Sequence, residues 1–332
     1  MLGQGCSTLP CGEDGRIVDR LAGLEKVISP AVIEQVLRDT GRVNGRACIL
    51  THQVMLWVVV AMGLLTRLPI RQVFRYARRL QLGGTCPARS SLCEARHRLG
   101  VEPVRALHAA VVKPLTTPDT PGAFYRQWRL MALDGTVMDA PDSEANAIFG
   151  RSSNASGEGA FPQVRKVSLV ELGSHVEVAI AIGGYHEGEQ TLARTLFDQI
   201  PDDALLLEDR GFFCAEDWKA LHLRVKLLLR VKSNLTLKPL KRLSDGSYLA
   251  KIYLTYYDRQ KDRNGIVVRV IEYTLNDPQR TGHGEMHRLV TNLLDETEYP
   301  AQELIELYHE RWEEEVSQPD YPSSAGLYQV AA

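Results

Sequence analysis

This 332-residue chain lacks most of the signals that would assign it to a familiar chemistry. Its six cysteines (Cys6, Cys11, Cys48, Cys86, Cys93 and Cys214) form no CxxC pair and stand at no zinc spacing from a histidine. Neither a zinc site nor a disulfide framework is therefore expected, and the thiols read as those of a reducing cytosol. There is no GxSxG elbow for a serine nucleophile and no GxxxxGK loop followed by Ser or Thr for nucleotide phosphates. His175, His186, His222, His283, His287 and His309 are dispersed and read as surface or turn residues rather than general bases. The longest apolar run, Val54 to Leu65, has 12 residues, well short of the roughly 20 needed to cross a bilayer. The N-terminus has no basic segment leading into an apolar core, so no signal peptide is expected. These absences point to a cytoplasmic protein without a membrane partner.

What is present is a globular composition with uneven charge. Hydrophobic residues make up 44% and charged residues 24% of a chain whose net charge is only −2, enough apolar material for one large domain or two. Between Arg67 and Arg98 eight arginines face one acid, Glu94. Between Arg210 and Arg242 nine Lys or Arg face Glu216 and Asp217, and from Asp295 to Glu315 nine acids face Arg311. Basic blocks inside a near-neutral chain fit a polyanion partner, and solvated helix faces are the competing reading.

The pattern divides the chain. Residues 1–19 read as disordered. Residues 20–115 read as all-helical: Ser29-Pro30 starts one helix, Thr51 caps another, Pro69 opens a third, and Ser90–Leu99 and Pro103–Val112 follow. Thr116 to Gly122 reads as a linker. Beyond it the order is strand (Trp128–Asp134), a Gly/Ser-rich loop (Gly150–Gly159), strands Val164–Leu172 and Val176–Ile182, helix Glu189–Ile200, strand Leu205–Asp209, helix Ala215–Leu221 and strand Val225–Val231. That is a mixed sheet flanked by helices. Tyr248–Tyr256, Ile266–Leu275 and His287–Leu293 alternate in period two without intervening helices and read as an insertion, after which Pro300 opens a last helix.

Three carboxylates stand out. Asp134 closes the apolar run Leu130–Leu133, and Asp209 closes the run that begins at Ala204. Glu315 follows Tyr308 and Arg311 on the last helix. At 100° per residue, Leu304, Ile305, Arg311, Trp312 and Glu315 fall within about 60° of Tyr308, while Glu306, Glu310, Glu313 and Glu314 fall opposite. An inward carboxylate needs a partner: a metal ion, or a salt bridge to Arg311. For Asp134-Gly135-Thr136 and Asp209-Arg210-Gly211 the plain alternative is a pair of strand-to-turn exits. Two strand-end aspartates and a helical glutamate can clamp a pair of Mg²⁺ ions against a scissile phosphate. A haloacid-type hydrolase would need a nucleophilic Asp two residues before Asp134, where this chain has Ala132.

Four stretches together resemble the DDE transposases of bacterial insertion sequences, IS4 family. They are Leu133-Asp134-Gly135-Thr136, Ala160-Phe161-Pro162-Gln163, Leu207-Glu208-Asp209-Arg210-Gly211-Phe212-Phe213, and Tyr308 through Glu315. The resemblance covers roughly residues 20–316. It implies an α/β, ribonuclease-H-like catalytic core (124–235 plus 295–316) with a β-rich insertion (236–294), preceded by an all-helical N-terminal DNA-binding domain (20–115). It implies Asp134, Asp209 and Glu315 as the catalytic, metal-binding triad, with Mg²⁺ as cofactor and Mn²⁺ as a substitute, and Tyr308 and Arg311 as signature residues. Arg71, Arg75, Arg78, Arg79, Arg210, Arg230 and Lys232 are the expected DNA contacts. The partners implied are double-stranded DNA, both terminal inverted repeats and target, and a second copy of the chain on that DNA. The rival readings are a non-catalytic DNA-binding relic and a metal-dependent nuclease or phosphatase unrelated to transposition.

The resemblance breaks after Glu315. The family signature continues with a lysine seven residues on, where this chain has Pro322, and Pro319 already interrupts a helix. The segment 317–332 has no amphipathic period, and the expectation is an aberrant tail on a frameshifted or truncated transposase.

Overall fold

The computed structural model describes residue 17 and residues 21–43, 48–78, 85–154, 157–275, 284–313 and 328–330, with the backbone alone for residues 154, 275, 310–313 and 328–330. The chain divides into two compact units, Met1–Lys113 and Pro114–Ala332.

The first unit is helical: α1 (21–27), α2 (Pro30–Asp39), α3 (His52–Leu64), α4 (Ile70–Ala77), α5 (Arg89–Leu99) and α6 (Glu102–Val111). The expected caps form, with Ser29 Oγ accepting from the Val32 N–H and Thr51 Oγ1 from the Val54 N–H. Each satisfies a donor that the first helical turn leaves without an intrahelical partner. Ile33, Val36, Leu37, Met55, Leu56, Val58, Val73, Phe74, Leu92 and Leu99 close one core.

The second unit is built on one sheet. Its strands are β1 (Phe124–Tyr125), β2 (Trp128–Asp139), β3 (Arg151–Asn154), β4 (Gly157–Glu171), β5 (Val176–Gly184), β6 (Ala204–Glu208), β7 (Lys226–Arg230), β8 (Lys241–Arg242), β9 (Tyr248–Ile252), β10 (Ile266–Leu275), β11 (Met286–Thr291) and β12 (Tyr328–Val330). The order across it is β3-β4-β2-β6-β7-β11-β10-β9-β8, with β5 on β4, β1 on β2 and β12 on β10. β2, β6 and β7 run parallel to their neighbours in that trio, whereas β4 is antiparallel to β2 and β5 to β4. Taken in chain order, β2, β4, β5, β6 and β7 lie 3-2-1-4-5 across the sheet, with the second strand reversed: a ribonuclease-H-like core. Helices α7 (Glu189–Arg194) and α8 (Ala215–Leu221) precede β6 and β7. The uninterrupted Leu205-Leu206-Leu207 and Leu227-Leu228-Leu229 arise because parallel central strands are covered on both faces.

Several local expectations are corrected. β2 does not end at Asp134: its antiparallel pairing with β4 continues to Asp139, so Asp134-Gly135-Thr136 is mid-strand rather than a turn. The loop expected at 150–159 is largely a hairpin, β3 to β4, interrupted by residues 155–156 outside the described set. The helix expected over Glu189–Ile200 is α7 followed by a separate 3₁₀ turn at Phe197–Gln199. A short helix, α9 (Tyr256–Lys261), lies between β9 and β10, with Thr255 Oγ1 capping the Asp258 N–H. The segment 236–294 extends the main sheet, because β11 pairs directly with β7.

Nor is the start of the expected linker loose. The fully buried Glu171 carboxylate accepts from the Leu115 and Thr116 N–H groups, the Thr116 hydroxyl, Arg129 and Ser174. Burial pushes its pKa up, but the hydrogen bonds from Ser174, Thr116, Leu115 and Arg129 overcome that and hold it at about 2.

The last helix, α10 (Ala301–Glu313), packs Leu304, Ile305 and Tyr308 on the sheet against Leu205, Leu207, Leu228, Tyr273 and Leu289. Its first turn is held by Asp245, which accepts from the Ala301 N–H and pairs with the fully buried Arg269. That arginine also donates to the Tyr299 carbonyl.

Candidate active site

The site follows from register and alternation. β2 and β6 pair in parallel with Ala132 beside Leu207, an offset of 75 residues that holds along the whole pairing. The pairing ends at Ala132 and Leu207; two residues further along each segment stand Asp134, still within β2, and Asp209, just past the end of β6, the two strands being about 4.8 Å apart where they pair. Successive side chains point to opposite faces. Leu130 of β2 and Leu205 and Leu207 of β6 belong to the cluster under α10, whereas Met131, Leu133, Ala204 and Leu206 belong to the cluster on the other face. Asp134 shares the parity of the first set and lies on the α10 face, and Asp209 follows Leu207 of that set by two residues, just past the end of β6. The aspartate side chains become accessible where β6 leaves the sheet, and both residues are half-buried.

Two more side chains extend this row. Ser168 of β4 stands directly opposite Asp134 in the antiparallel register, and Arg230 follows Leu229, which pairs with Glu208. Both have the parity of the α10 face. The Ser168 hydroxyl is 2% exposed and has no hydrogen-bond partner among the described residues. After Asp209 the chain turns sharply, with the Phe212 N–H donating to the Asp209 carbonyl and the Phe212 ring buried in the core behind.

α10 reaches this row through Tyr308, which is 1% exposed and whose hydroxyl donates to the Glu208 carbonyl at 3.3 Å. The helical phase expected from the sequence is borne out for Leu304, Ile305 and Tyr308, all buried on the sheet side. The backbone of Arg311 continues the helix; its side chain lies outside the described residues, as does the whole of Glu315. Arg210 is exposed in the turn after Asp209, and Lys232 is exposed two residues beyond Arg230.

In the helical unit, Arg71 and Arg75 fall within about 40° of one another on the α4 wheel and Arg78 caps its C-terminal end, with the buried Val73 on the opposite side and the buried Phe74 at the flank. None has an ion-pair partner among the described residues, and Arg71 and Arg78 are exposed. Arg79 lies outside the described residues.

The donor set suits a hard divalent cation. Among the described residues neither Asp134 nor Asp209 has an ion-pair or side-chain hydrogen-bond partner. Two such carboxylate donors on and just beyond neighbouring strands fit Mg²⁺ or Mn²⁺ rather than a thiolate- or imidazole-binding metal. No group of three or more His, Cys, Asp or Glu that could hold a metal occurs among the described residues.

Sequence reasoning missed three participants. Ser168 is one polar residue within an apolar strand, and only the pairing brings it to Asp134. His287, read as a surface or turn histidine, is 4% exposed, with its Nδ1 2.8 Å from Arg230 Nη2. Tyr273 shares a 2.8 Å hydrogen bond with His309 Nε2 on α10. No local pattern announces any of them.

A ribonuclease-H-like sheet with Asp134 within its central strand, Asp209 just past the neighbouring parallel strand and a final helix packed on the same sheet is the architecture of a DDE-type nucleic-acid-processing enzyme. Residues 127–317 match the family described as Transposase DDE domain, and residues 18–109 match Insertion element 4 transposase N-terminal. The chain belongs to the IS4-type DDE transposases. It is 28% identical over 305 residues to the Transposase InsG for insertion sequence element IS4 of Escherichia coli K12, covering 89% of this chain and 67% of that protein. It is 30% identical over 128 residues to the Putative transposase InsZ of the same organism, covering 38% of this chain and 43% of that protein. Membership implies DNA as a partner and dependence on a divalent metal. Among the described residues no helix is long and apolar enough to cross a membrane.

Proposed function

We propose that this chain is a transposase that cleaves DNA at the terminal inverted repeats of an insertion sequence and transfers the strand ends to target DNA, with Mg²⁺ held by Asp134, Asp209 and Glu315. The observation that carries the reading is the parallel pairing of the strand that bears Asp134 with the strand that leads into Asp209, on a sheet covered by the helix bearing Tyr308. Bound there, divalent ions supply Lewis-acid activation of the attacking hydroxyl and charge stabilisation at the leaving oxygen. On this reading the two aspartates, on and just past neighbouring strands, hold the ions between them. Tyr308 fixes the phase of the helix that leads to Glu315, and Arg230, Arg210 and Lys232 supply positive charge for flanking phosphates. Arg71, Arg75, Arg78 and Arg79 contribute sequence-independent phosphate contacts that position DNA, with two copies of the chain on one DNA.

Pro322, standing where the resemblance expects a lysine, supports a second reading: a chain that binds DNA ends and turns over poorly or not at all. A nicking assay on inverted-repeat duplexes with Mg²⁺ separates the two, with Asp134→Ala as control. Cleavage lost in Asp134→Ala supports the transposase. Gel-shift binding without cleavage by the unaltered chain supports the DNA-binding protein, and equal cleavage of unrelated DNA supports a general nuclease.

A further inference from the structure

Arg230 is held in an unusual way. Arg129, Arg269 and Arg288 are each neutralised by a carboxylate, Glu171, Asp245 and Glu272 respectively. Half-buried Arg230 has no carboxylate partner among the described residues; its guanidinium meets the Nδ1 of His287 at 2.8 Å. A guanidinium only donates, so Nδ1 must accept and the ring carries its proton on Nε2. A neutral acceptor fixes the direction of the guanidinium without cancelling its charge. The positive charge remains for an anion, on the α10 face of the sheet one residue past the Leu229–Glu208 pair that precedes Asp209.

The imidazole is itself immobilised. His287 stands opposite Tyr273 in the β10–β11 register, with ring centroids 5.4 Å apart and planes 33° apart. Tyr273 is fully buried and hydrogen-bonded to His309, the residue after Tyr308 on α10. One buried aromatic cluster therefore sets both the Arg230 guanidinium and the helix packed on the sheet.

We infer that His287 is a positioning residue for phosphate recognition, holding the Arg230 guanidinium against a phosphodiester of the DNA substrate. The inference rests on the reading of the Asp134–Asp209 row as the phosphoryl-transfer site.

The test is titration of the full chain with a thymidine dinucleotide in magnesium buffer, followed by calorimetry. Arg230→Gln and His287→Phe are each expected to weaken binding by about tenfold, the effect of removing a charge-assisted hydrogen bond. The double variant is expected to be no weaker than either single one, because both remove the same interaction. His287→Asn places an oxygen where Nδ1 stands and is expected to retain binding within about twofold, whereas His287→Gln, whose oxygen reaches the Nε2 position, is expected to lose it. The Asn and Gln pair decides the matter even where the Phe variant fails to fold. Equal binding by Asn and Gln variants, or full binding by His287→Phe alongside loss in Arg230→Gln, overturns the inference and leaves the proposed function standing. Unchanged binding in Arg230→Gln overturns it together with the phosphate role of Arg230. Loss of the magnesium heat in Asp134→Asn is the separate measure of the metal site itself.

Discussion

The Tyr308 hydroxyl donates to the carbonyl of Glu208, the residue immediately before Asp209. A side chain of the last helix is thereby fixed to the backbone of the strand that ends in a candidate metal ligand. Tyr308→Phe keeps the buried ring but removes the hydroxyl's hydrogen bond to that carbonyl, an expected loss of about 1 kcal/mol. Tyr308→Ala also opens a cavity and is expected to cost about 3–5 kcal/mol. Urea unfolding measures both, and equal stability of the Phe and Ala variants would show that α10 does not depend on this packing.

On the proposed reading Asp134 and Asp209, on and just past neighbouring strands, hold the same ion, so losing either is expected to remove it. Asp134→Asn and Asp209→Asn should each abolish the magnesium heat in calorimetry. Each should also lower any cleavage by more than the roughly 10–100-fold that loss of an outer-shell partner costs. Retention of the magnesium heat in both variants would refute a shared site.

Glu171 ties the first residues of the second unit to the sheet, and its pKa lies at about 2 against an ordinary 4.5. Because the folded value is depressed, the stabilisation is fully present above about pH 4.5 and is lost as pH falls towards 2. The difference corresponds to about 3 kcal/mol. Glu171→Gln is expected to flatten the acid limb of the pH–stability curve in that window, measured by thermal unfolding at a series of pH values. An unchanged acid limb would count against the cluster as its origin.

Ser168 carries a hydroxyl buried without a partner among the described residues. Ser168→Ala removes the desolvated group with little change of volume, and the expected effect on stability lies between neutral and a gain of about 1 kcal/mol. A loss beyond that range in chemical denaturation would reveal a bond to this hydroxyl.

Arg71 and Arg75 share one face of α4 and Arg78 caps its C-terminal end, with no ion-pair partner among the described residues. Replacing all three with Gln in the full chain is expected to lower the slope of log affinity against log salt by about 0.9 for each phosphate no longer neutralised. Filter binding or anisotropy across a salt series measures it, and an unchanged slope would move DNA binding off this helix.

Much of the fold was legible because local physics agreed with the final packing. Ser29 and Thr51 cap where small hydroxyl residues precede apolar helices, and the alternation of Val176, Val178, Ile180 and Ile182 forms β5. The errors have a common cause. Asp134-Gly135-Thr136 has the composition of a turn, yet β4 continues to pair with it, and cross-strand hydrogen bonding overrides a local preference. Tyr256–Lys261 is too short for helical periodicity to be recognised, and only its Thr255 cap marked it.

The sequence alone singled out the candidate residues: the aspartates closing two apolar runs, and the helical phase that turns Tyr308 inward. Those are properties of neighbours along the chain, where side-chain period and capping act. The tertiary structure decided that the strand bearing Asp134 lies beside the strand that leads into Asp209, that Ser168 stands opposite Asp134, and that a buried histidine meets Arg230. Strand order and register join residues 75 positions apart, and no local periodicity encodes which strand lies beside which.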